Sequence, residues 1–315
     1  MKTEHYQLRA SDGHYIHAIM WLPDEESKAT APIAIVQIAH GMGEHALRYE
    51  RLAEKLTRSG YAVIANDHRG HGKTAIMLGD FGRKGWRRMV IDLREINRDI
   101  KTKFPDSPLV LMGHSMGALL TQQYIVTYPG TVDGVILSGS PGFAKTSQLL
   151  TALAIATFEK WRLGPLGISE VLRKMIFGQA NRRFETEIIN PTGFEWLSRD
   201  KDEVQKYMDD PFCGFVPCTR SICDMLQGRR HMQKSRNLDR LNPDIPYYVF
   251  AGTFDPVNAG LIAIHMMLNE YRARGCLIET RFYEEGRHEM LNEINRDEVM
   301  SDLTGWLDRY FAPQD

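Results

Sequence analysis

Only four cysteines occur in this chain of 315 residues, and no apolar run approaches the ~20 residues needed to cross a bilayer. So few cysteines exclude a disulfide scaffold, and the spacing of Cys213, Cys218 and Cys223 is not the CxxC pattern typical of a metal site. We expect reduced, partly buried thiols. The first residues also lack the apolar stretch of a signal peptide, so we predict a cytoplasmic protein.

An excess of charge of one sign is absent as well. The chain has 39 lysine and arginine residues against 40 aspartate and glutamate residues, which leaves a formal net charge of −1. A nearly balanced charge gives no electrostatic reason to expect a nucleic acid or another polyanion as partner. We therefore predict a small neutral or zwitterionic substrate and no nucleic-acid partner.

Short apolar runs bounded by turn residues recur along the chain. The first segment alternates apolar and polar residues on either side of Ser11-Asp12-Gly13, which predicts an antiparallel hairpin at the edge of a sheet. Six further runs are apolar without alternation, as expected for strands buried on both faces. These runs are residues 33–39, 62–65, 109–112, 135–137, 247–251 and 278–283.

Helical patterns separate most of the predicted strands, at residues 49–58, 89–104, 118–128 and 261–274. Alternating strands and helices predict a mostly parallel sheet with right-handed crossovers. The alternation is interrupted once, because residues 143–242 hold no convincing strand. A structureless loop of that length is not expected in a compact domain, so we predict a helical cap at residues 143–237, inserted after the sixth strand. The core domain is then residues 1–142 and 238–315.

The motif GHSMG at residues 113–117 follows one predicted strand and precedes a helical pattern. This is the strand, turn and helix context of a GxSxG nucleophile elbow. The serine backbone at the top of such a turn is strained, and a side chain two residues away on either side would collide with the neighbouring strand and helix. Glycine at both positions avoids the collision, so we predict Ser115 as a nucleophile.

A serine hydroxyl needs a base and an orienting acid before it can act as a nucleophile. Asp255 and His288 each follow a predicted strand, and the carboxyl ends of strands are where open α/β sheets place their sites. The chain order Ser, Asp, His is that of the α/β-hydrolases. Taken alone, an aspartate before proline is typical of a turn, and a histidine in a charged loop is typical of a solvated surface. The fallback partners are Asp224, Asp244, His231 and His265.

The motif HGMGEH at residues 40–45 follows another buried run. In an acyl-transfer enzyme, the backbone NH groups of Met42 and Met116 would stabilise the oxyanion of the tetrahedral intermediate. Met116 also begins a helix, whose positive dipole end favours the same charge. We predict these two residues as the oxyanion hole, with Gly41 and His114 beside the substrate.

A dinucleotide-binding fingerprint competes for the same loop. Gly41, Gly43 and Ala46 satisfy GxGxxA after a strand, and Asp67 ends the next strand, as in a Rossmann oxidoreductase. Glu44 would then place negative charge beside the pyrophosphate. The fingerprint also leaves the serine, aspartate and histidine pattern unexplained.

The motifs HGMGEH, DHRGHG at residues 67–72 and GHSMG, taken together, resemble the monoacylglycerol lipase and bacterial lysophospholipase branch of the α/β-hydrolases, a serine aminopeptidase S33-like family. Residues 194–200 and 210–215 are similar to the cap of the bacterial members. The resemblance implies an α/β-hydrolase fold, with a mostly parallel eight-stranded sheet flanked by helices and an inserted helical cap. It also implies a triad on Ser115, Asp255 and His288 and a single-chain acyl ester as substrate. Asn258 departs from the glycine expected there, which would leave the triad untouched but alter the pocket wall.

Residues 149–158 of the predicted cap are apolar nearly all around a helix, which is too short to span a membrane. Two interpretations stay open: a helix buried on the core, or an exposed lid that takes up an acyl chain. We predict Leu149, Leu153 and Phe158 as substrate contacts. As a lid, the helix would touch a membrane or micelle surface transiently through Phe158 and Trp161, which would make the protein peripheral to the membrane.

Together these patterns predict a serine carboxylic-ester hydrolase that acts on monoacylglycerol or lysophospholipid through an acyl-enzyme intermediate. A short-chain carboxylesterase and an amidase or peptidase with the same triad are alternatives. A non-catalytic binding module and a dinucleotide-binding protein are more remote ones. No cofactor or metal ion is expected.

Overall fold

The apolar runs form one eight-stranded sheet in a computed structural model of the protein, which describes residues 1–24, 31–178, 180–185 and 190–313. The strands are β1 Lys2–Arg9, β2 Tyr15–Leu22, β3 Ile35–Ala39, β4 Ala62–Asn66, β5 Leu109–His114, β6 Gly134–Ser138, β7 Tyr247–Gly252 and β8 Ile278–Tyr283. Their order across the sheet is β1-β2-β4-β3-β5-β6-β7-β8. The hairpin β1–β2 is antiparallel, β2 is antiparallel to β4, and the later pairs are parallel. The predicted mostly parallel sheet with an antiparallel edge is therefore confirmed.

Helices flank the sheet and fill the segment between β6 and β7. They are α1 Glu50–Arg58, α2 Gly85–Lys103, α3 Met116–Thr127, α4 Thr146–Leu163, α5 Glu170–Phe177, α6 Arg182–Glu185, α7 Lys201–Asp209, α8 Thr219–Met232, α9 Ser235–Leu238, α10 Ile262–Arg272 and α11 Arg296–Phe311. Short 3-10 turns lie at Ala46–Tyr49, Gly72–Thr74, Pro256–Asn258 and Met290–Asn292.

Alternate residues of each central strand pack into two different cores. In β3, Ile35 and Ala39 face the core that contains α2, α3 and α10, whereas Val36 and Ile38 face the core that contains α1 and α11. This alternation follows from the two-residue period of a strand. Because both faces are covered, the strands are apolar without interruption, and the sheet forms a rigid base for residues at its carboxyl edge.

Several predicted helix boundaries were wrong, and two of them show why. The helix predicted at residues 89–104 begins earlier, at Gly85, because Trp86 is buried on the same face as Met89. The helix predicted at residues 261–274 ends at Arg272, and Gly275, with φ of 82°, follows outside it. In both cases the terminal turn has too few apolar positions for periodicity to mark its end.

The segment from residue 143 to residue 237 holds α4 to α8, all of α9 except its last residue and, in its described part, no strand. We call it the cap segment and propose that it forms a cap inserted in a core of residues 1–142 and 238–315. Of the predicted cap, residues 179 and 186–189 lie outside the described residues, as do residues 25–30 and 314–315 of the predicted core. Among the described helices, none combines the length and the apolar character of a membrane span.

The helix α4 is neither buried all around nor exposed all around. Leu149 and Ala156 are buried, and Ala156 packs with side chains of α5 and α8 in a small apolar cluster. Phe158 and Trp161 lie on the exposed side, with 56% and 79% of their surface accessible. One face of this helix is therefore buried and the other exposed, and its uptake of an acyl chain stays a prediction.

Candidate active site

Ser115 lies in the sharp turn between β5 and α3, with φ of 53° and ψ of −114°. A positive φ is rare for a residue with a side chain and marks a strained backbone. A Cβ atom at Gly113 would overlap the carbonyl oxygen of Gly117, and one at Gly117 would overlap that of Ala39 at the end of β3. The collisions predicted from the motif are therefore present, and they require glycine at both positions.

Three residues that are distant in the chain meet at the carboxyl edge of the sheet. His288 Nε2 lies 2.8 Å from Ser115 Oγ, and His288 Nδ1 lies 3.0 Å from Asp255 Oδ2. Asp255 and His288 are buried and follow β7 and β8. With the Nδ1 proton donated to the carboxylate, the Nε2 lone pair faces the serine hydroxyl and can accept its proton.

The environment of His288 favours its charged form. Burial opposes protonation of the ring, but the charge of Asp255 and its hydrogen bond outweigh burial and raise the pKa of His288 above its usual value. An imidazolium at this position would therefore be stabilised in place.

Asn258 contacts the aspartate rather than the pocket wall. Its Nδ2 donates to Asp255 Oδ2 at 3.1 Å, its Oδ1 accepts from the NH of Leu261 at 2.7 Å, and its side chain is fully buried. The prediction that this residue leaves the triad untouched was wrong, because the 3-10 turn Pro256–Asn258 folds the chain back onto Asp255.

Two aromatic rings enclose the imidazole of His288. His114 lies 4.9 Å and Trp196 lies 5.0 Å from it, measured between ring centroids. Burial, and then the neighbouring His288, lower the pKa of His114 to about 4, so His114 is neutral at pH 7. Trp196, from the cap segment, also accepts a hydrogen bond from the NH of His288 through its carbonyl oxygen, at 3.2 Å. The cap segment thus helps to hold the histidine loop.

The loop that carries Met42 is held by a buried carboxylate. Glu44 Oε1 accepts from the NH of Gly41 at 2.5 Å and from the hydroxyl of Tyr49 at 2.9 Å. Met42 and Met116 both line the cavity that contains Ser115. As the first residue of α3, Met116 has no partner within its helix for its NH, which leaves that donor available to a ligand.

Arg48 joins this loop to the histidine loop. Its guanidinium donates to Glu44 Oε2 at 2.9 Å and to the two carboxylate oxygens of Glu289 at 2.7 Å each. Burial opposes ionisation of both carboxyls, but Arg48 outweighs burial and holds the pKa of Glu44 and of Glu289 below the usual range. The spacing of Glu44 and Arg48 is visible in the sequence as an i, i+4 pair, whereas nothing local indicates Glu289 as the second acid.

A cavity of 390 Å³ lies above Ser115, between the edge of the sheet and the cap segment. Of the predicted substrate contacts, Gly41, His114 and Leu149 line it, and Leu153 and Phe158 do not. The physical reason is the orientation of α4. Leu153 turns toward the apolar cluster of the cap segment, and Phe158 faces outward beside Trp161.

Several lining side chains come from the cap segment and were not predicted. The described residues of that segment in the cavity wall include Ala152, Ile176, Phe177, Trp196, Leu197, Met225, Leu226 and Arg229. No motif marks them, because their approach to Ser115 depends on how the cap helices pack.

The contacts of Asp67 do not fit a dinucleotide-binding site. Its carboxylate accepts from the backbone NH groups of Ala46 and Lys73, at 2.9 and 2.8 Å, and contacts His17 Nδ1 at 3.1 Å. A carboxylate so engaged inside the protein does not present its oxygens to a ribose. Glu44 also covers the NH of Gly41, which a pyrophosphate would need.

The four fallback partners make their contacts elsewhere. Asp224 accepts from the NH of Gly85, and His265 packs its ring against Phe282. Within the described part of the chain, none of Asp224, Asp244, His231 and His265 is hydrogen-bonded to Ser115.

One group of potential metal ligands lies beside the loop of Met42. His45, Asp210 and Cys213 bring their ligand atoms within 4.8 Å of one another. His45 Nε2 and Asp210 Oδ2 are already paired at 2.9 Å, and burial raises the pKa of the Cys213 thiol, which keeps it protonated. These three side chains therefore form a contact between the loop and the cap segment. Their positions in the sequence did not predict this contact.

Comparison with known proteins adds to this geometry. The profile of a family described as "Serine aminopeptidase, S33" matches residues 30–295. The monoglyceride lipase of Rattus norvegicus is 29% identical over 313 residues, which cover 96% of this chain and 89% of the relative. The monoacylglycerol lipase of Mycolicibacterium smegmatis is 26% identical over 295 residues, 91% of either chain. A thermostable carboxyl esterase from Bacillus coagulans, solved with glycerol, superposes with a TM-score of 0.87 at 27% identity and covers 99% of both chains.

Proposed function

The chain belongs to the serine aminopeptidase S33 family and is an α/β-hydrolase enzyme of the monoacylglycerol lipase and esterase type, and on that basis we propose that it hydrolyses esters of a single acyl chain, such as monoacylglycerol or lysophospholipid. The observation that carries this proposal is the hydrogen-bonded chain from Ser115 Oγ through His288 to Asp255, at the base of a mostly apolar cavity. An apolar wall with few polar groups suits a substrate whose bulk is an acyl chain.

The proposed reaction begins when His288 Nε2 takes the hydroxyl proton of Ser115 and the serine oxygen attacks the ester carbonyl. The NH groups of Met42 and Met116 donate to the oxyanion of the tetrahedral intermediate, and Asp255 stabilises the imidazolium. The carbon–oxygen bond to the leaving group then breaks, and His288 gives its proton to the departing oxygen, which leaves as the alcohol. Water, deprotonated by His288, attacks the acyl-enzyme, and the fatty acid leaves as His288 returns that proton to the oxygen of Ser115.

The charges around the cavity favour an ester over a peptide. An aminopeptidase would need a carboxylate that is free to bind the ammonium group of its substrate. Glu44 and Glu289 line the cavity, but Arg48 already engages both. A monoacylglycerol brings no cation and therefore needs no free carboxylate.

A short-chain carboxylesterase is the second candidate, supported by the carboxyl esterase among the similar structures. The two candidates differ in the use of the cap segment, since a long acyl chain must contact its apolar wall. We also propose that the exposed side of α4, with Phe158 and Trp161, contacts a lipid surface transiently when the substrate is part of one.

A substrate panel tests the proposal. We expect monoacylglycerols or lysophospholipids with medium or long chains to be hydrolysed with a higher kcat/KM than p-nitrophenyl acetate, and aminoacyl anilides to be hydrolysed much more slowly than any ester. Comparable rates on anilides would refute the ester assignment. A preference for acetyl or butyryl esters would instead favour the short-chain carboxylesterase.

A further inference from the structure

Arg229, on α8, lines the same cavity as Ser115. Its Nη2 atom donates to the carbonyl oxygens of Pro141 and Gly142, each at 3.1 Å. Its Nε atom is buried and has no hydrogen-bond partner among the described residues. No salt bridge to a described aspartate or glutamate is formed either, and burial alone lowers the pKa of its guanidinium to about 10. The side chain therefore remains a cation at neutral pH, at the wall of the cavity.

Arg48, at the carboxyl edge of the sheet, shows what a largely buried guanidinium ordinarily requires. Two carboxylates surround Arg48 and accept its hydrogen bonds. Arg229 has two neutral carbonyl groups instead. Carbonyl oxygens satisfy some of its NH groups, but they do not neutralise its charge.

The position of Arg229 in α8 explains only part of this arrangement. The helix ends at Met232, so Arg229 lies in its last turn, where the helix dipole favours a cation. The dipole does not provide an acceptor for the Nε proton. Met225, four residues earlier on the same side of α8, also lines the cavity. An anion that entered here would thus be partly withdrawn from water, where a pair with a guanidinium is strongest.

We propose that Arg229 binds an anionic group, a carboxylate or a phosphate, that the substrate carries away from its scissile ester. This inference rests on the proposed function, because it assigns the charge of the substrate that Ser115 hydrolyses. The planar guanidinium presents NH donors that match both kinds of oxyanion. A carboxylate would lie at the far end of the acyl chain, whereas a phosphate would lie on the alcohol part, as in a lysophospholipid.

Pairs of esters that differ only in charge test this inference. The first pair is a p-nitrophenyl half-ester of a dicarboxylic acid and the p-nitrophenyl alkanoate of equal chain length, compared from four to twelve carbons. The second pair is a 1-acylglycerol 3-phosphate and the matching 1-acylglycerol. Each protein is described by one ratio, the kcat/KM of the anionic ester divided by that of the neutral ester.

For one of the two pairs, we expect this ratio to fall about tenfold or more in Arg229→Met, mainly through KM, and to be largely restored in Arg229→Lys. Arg230→Met is the matched control, because Arg230 is the next residue of α8 and is exposed, and it should leave the ratio unchanged. Arg229→Gln retains an amide donor for the carbonyl groups of Pro141 and Gly142, so it replaces the methionine variant if that variant does not fold.

The outcomes separate this inference from the proposed function. A fall in the half-ester ratio places the anion on the acyl chain, and a fall in the phosphate ratio places it on the alcohol. Equal ratios in the wild type, the Arg229 variants and Arg230→Met, with the neutral esters still hydrolysed, would overturn the role of Arg229 alone. If no ester of either charge were hydrolysed by the wild type, the proposed function itself would fail.

Discussion

The two walls of the active-site cavity are built in different ways. On the side of the sheet, Ser115, His288 and Asp255 are joined by hydrogen bonds of 2.8 and 3.0 Å, and Arg48 pairs with both Glu44 and Glu289. On the side of the cap segment, the wall is apolar except for a few groups such as Arg229, which has no acidic partner among the described residues. We therefore propose that the sheet supplies reactivity and the cap segment supplies selectivity.

Removal of the nucleophile should have the largest effect. We expect Ser115→Ala to lower kcat by roughly 10⁴- to 10⁶-fold toward every ester, because no other group in the triad can attack the carbonyl. The melting temperature should change little, since alanine retains the backbone and makes the same turn. Steady-state kinetics and thermal unfolding of the two proteins measure both quantities. Substantial remaining turnover in Ser115→Ala would show that reactivity does not come from this side of the cavity.

Substitution of Arg48 should have the second-largest effect. Arg48→Met leaves Glu44 and Glu289 as buried carboxylates without a cation, so we expect the free energy of unfolding to fall by about 3 kcal/mol. Without Arg48, the loop that carries Glu44 and the loop that carries Glu289 should shift, which should also lower kcat by about 100-fold.

Arg51→Met is the matched control for this variant, because Arg51, at the start of α1 and three residues after Arg48, pairs with Glu203 at a more exposed position. Its effect on the free energy of unfolding should stay below about 1 kcal/mol. Equal losses in the two variants, measured by urea unfolding, would contradict a special role for the Arg48 network.

The pH dependence of kcat/KM measures the environment of the histidine. His288 acts as a base only when it is neutral, and its pKa is raised, so activity should increase with pH through a midpoint above the ordinary histidine value of about 6.5. Below that midpoint the rate should fall about tenfold per pH unit. The substrate should be a neutral ester with a non-ionising leaving group, so that ionisation of the substrate does not contribute to the pH profile. A midpoint at or below 6.5 would show that Asp255 does not govern the charge of this histidine.

Changes in the cap segment should have the smallest effects, and these should depend on the substrate. Leu149→Ala enlarges the cavity wall, so we expect kcat/KM for a long-chain ester to fall roughly fivefold, while that for an acetyl ester stays the same. Phe158→Ala, on the exposed side of the same helix, should leave both values unchanged for dissolved substrates. Kinetics on the two esters below their critical micelle concentrations give the comparison. Equal losses for both esters in Leu149→Ala would mean that the cap segment affects reactivity as well.

The sequence predicts the sheet side of the cavity far better than the cap side, for a physical reason. The elbow around Ser115 is a local feature, since its glycines and its strained turn lie within five consecutive residues. Asp255 and His288 are found because residues after parallel strands share one edge of the sheet. The contacts of Arg48 with Glu289 and of Asn258 with Asp255 depend instead on how loops fold, which no short pattern records.

In the cap segment as well, the sequence pattern does not determine which side chains reach the cavity. Residues 149–158 are apolar on every side, so periodicity alone does not indicate which side faces the substrate. Packing of α4 with its neighbouring helices decides this, and it turns Leu149 inward and Phe158 outward. Arg229 carries no motif at all, and only the absence of an acidic partner among the described residues draws attention to it.

Labelling with a fluorophosphonate tests the central claim most directly, because this reagent forms a covalent bond only with a serine that has been made nucleophilic. The proposed triad predicts one adduct per chain, located by peptide mass spectrometry on Ser115, with activity lost in proportion to labelling and no adduct in Ser115→Ala. Labelling of another serine, or no labelling of a folded protein that still hydrolyses esters, would contradict it.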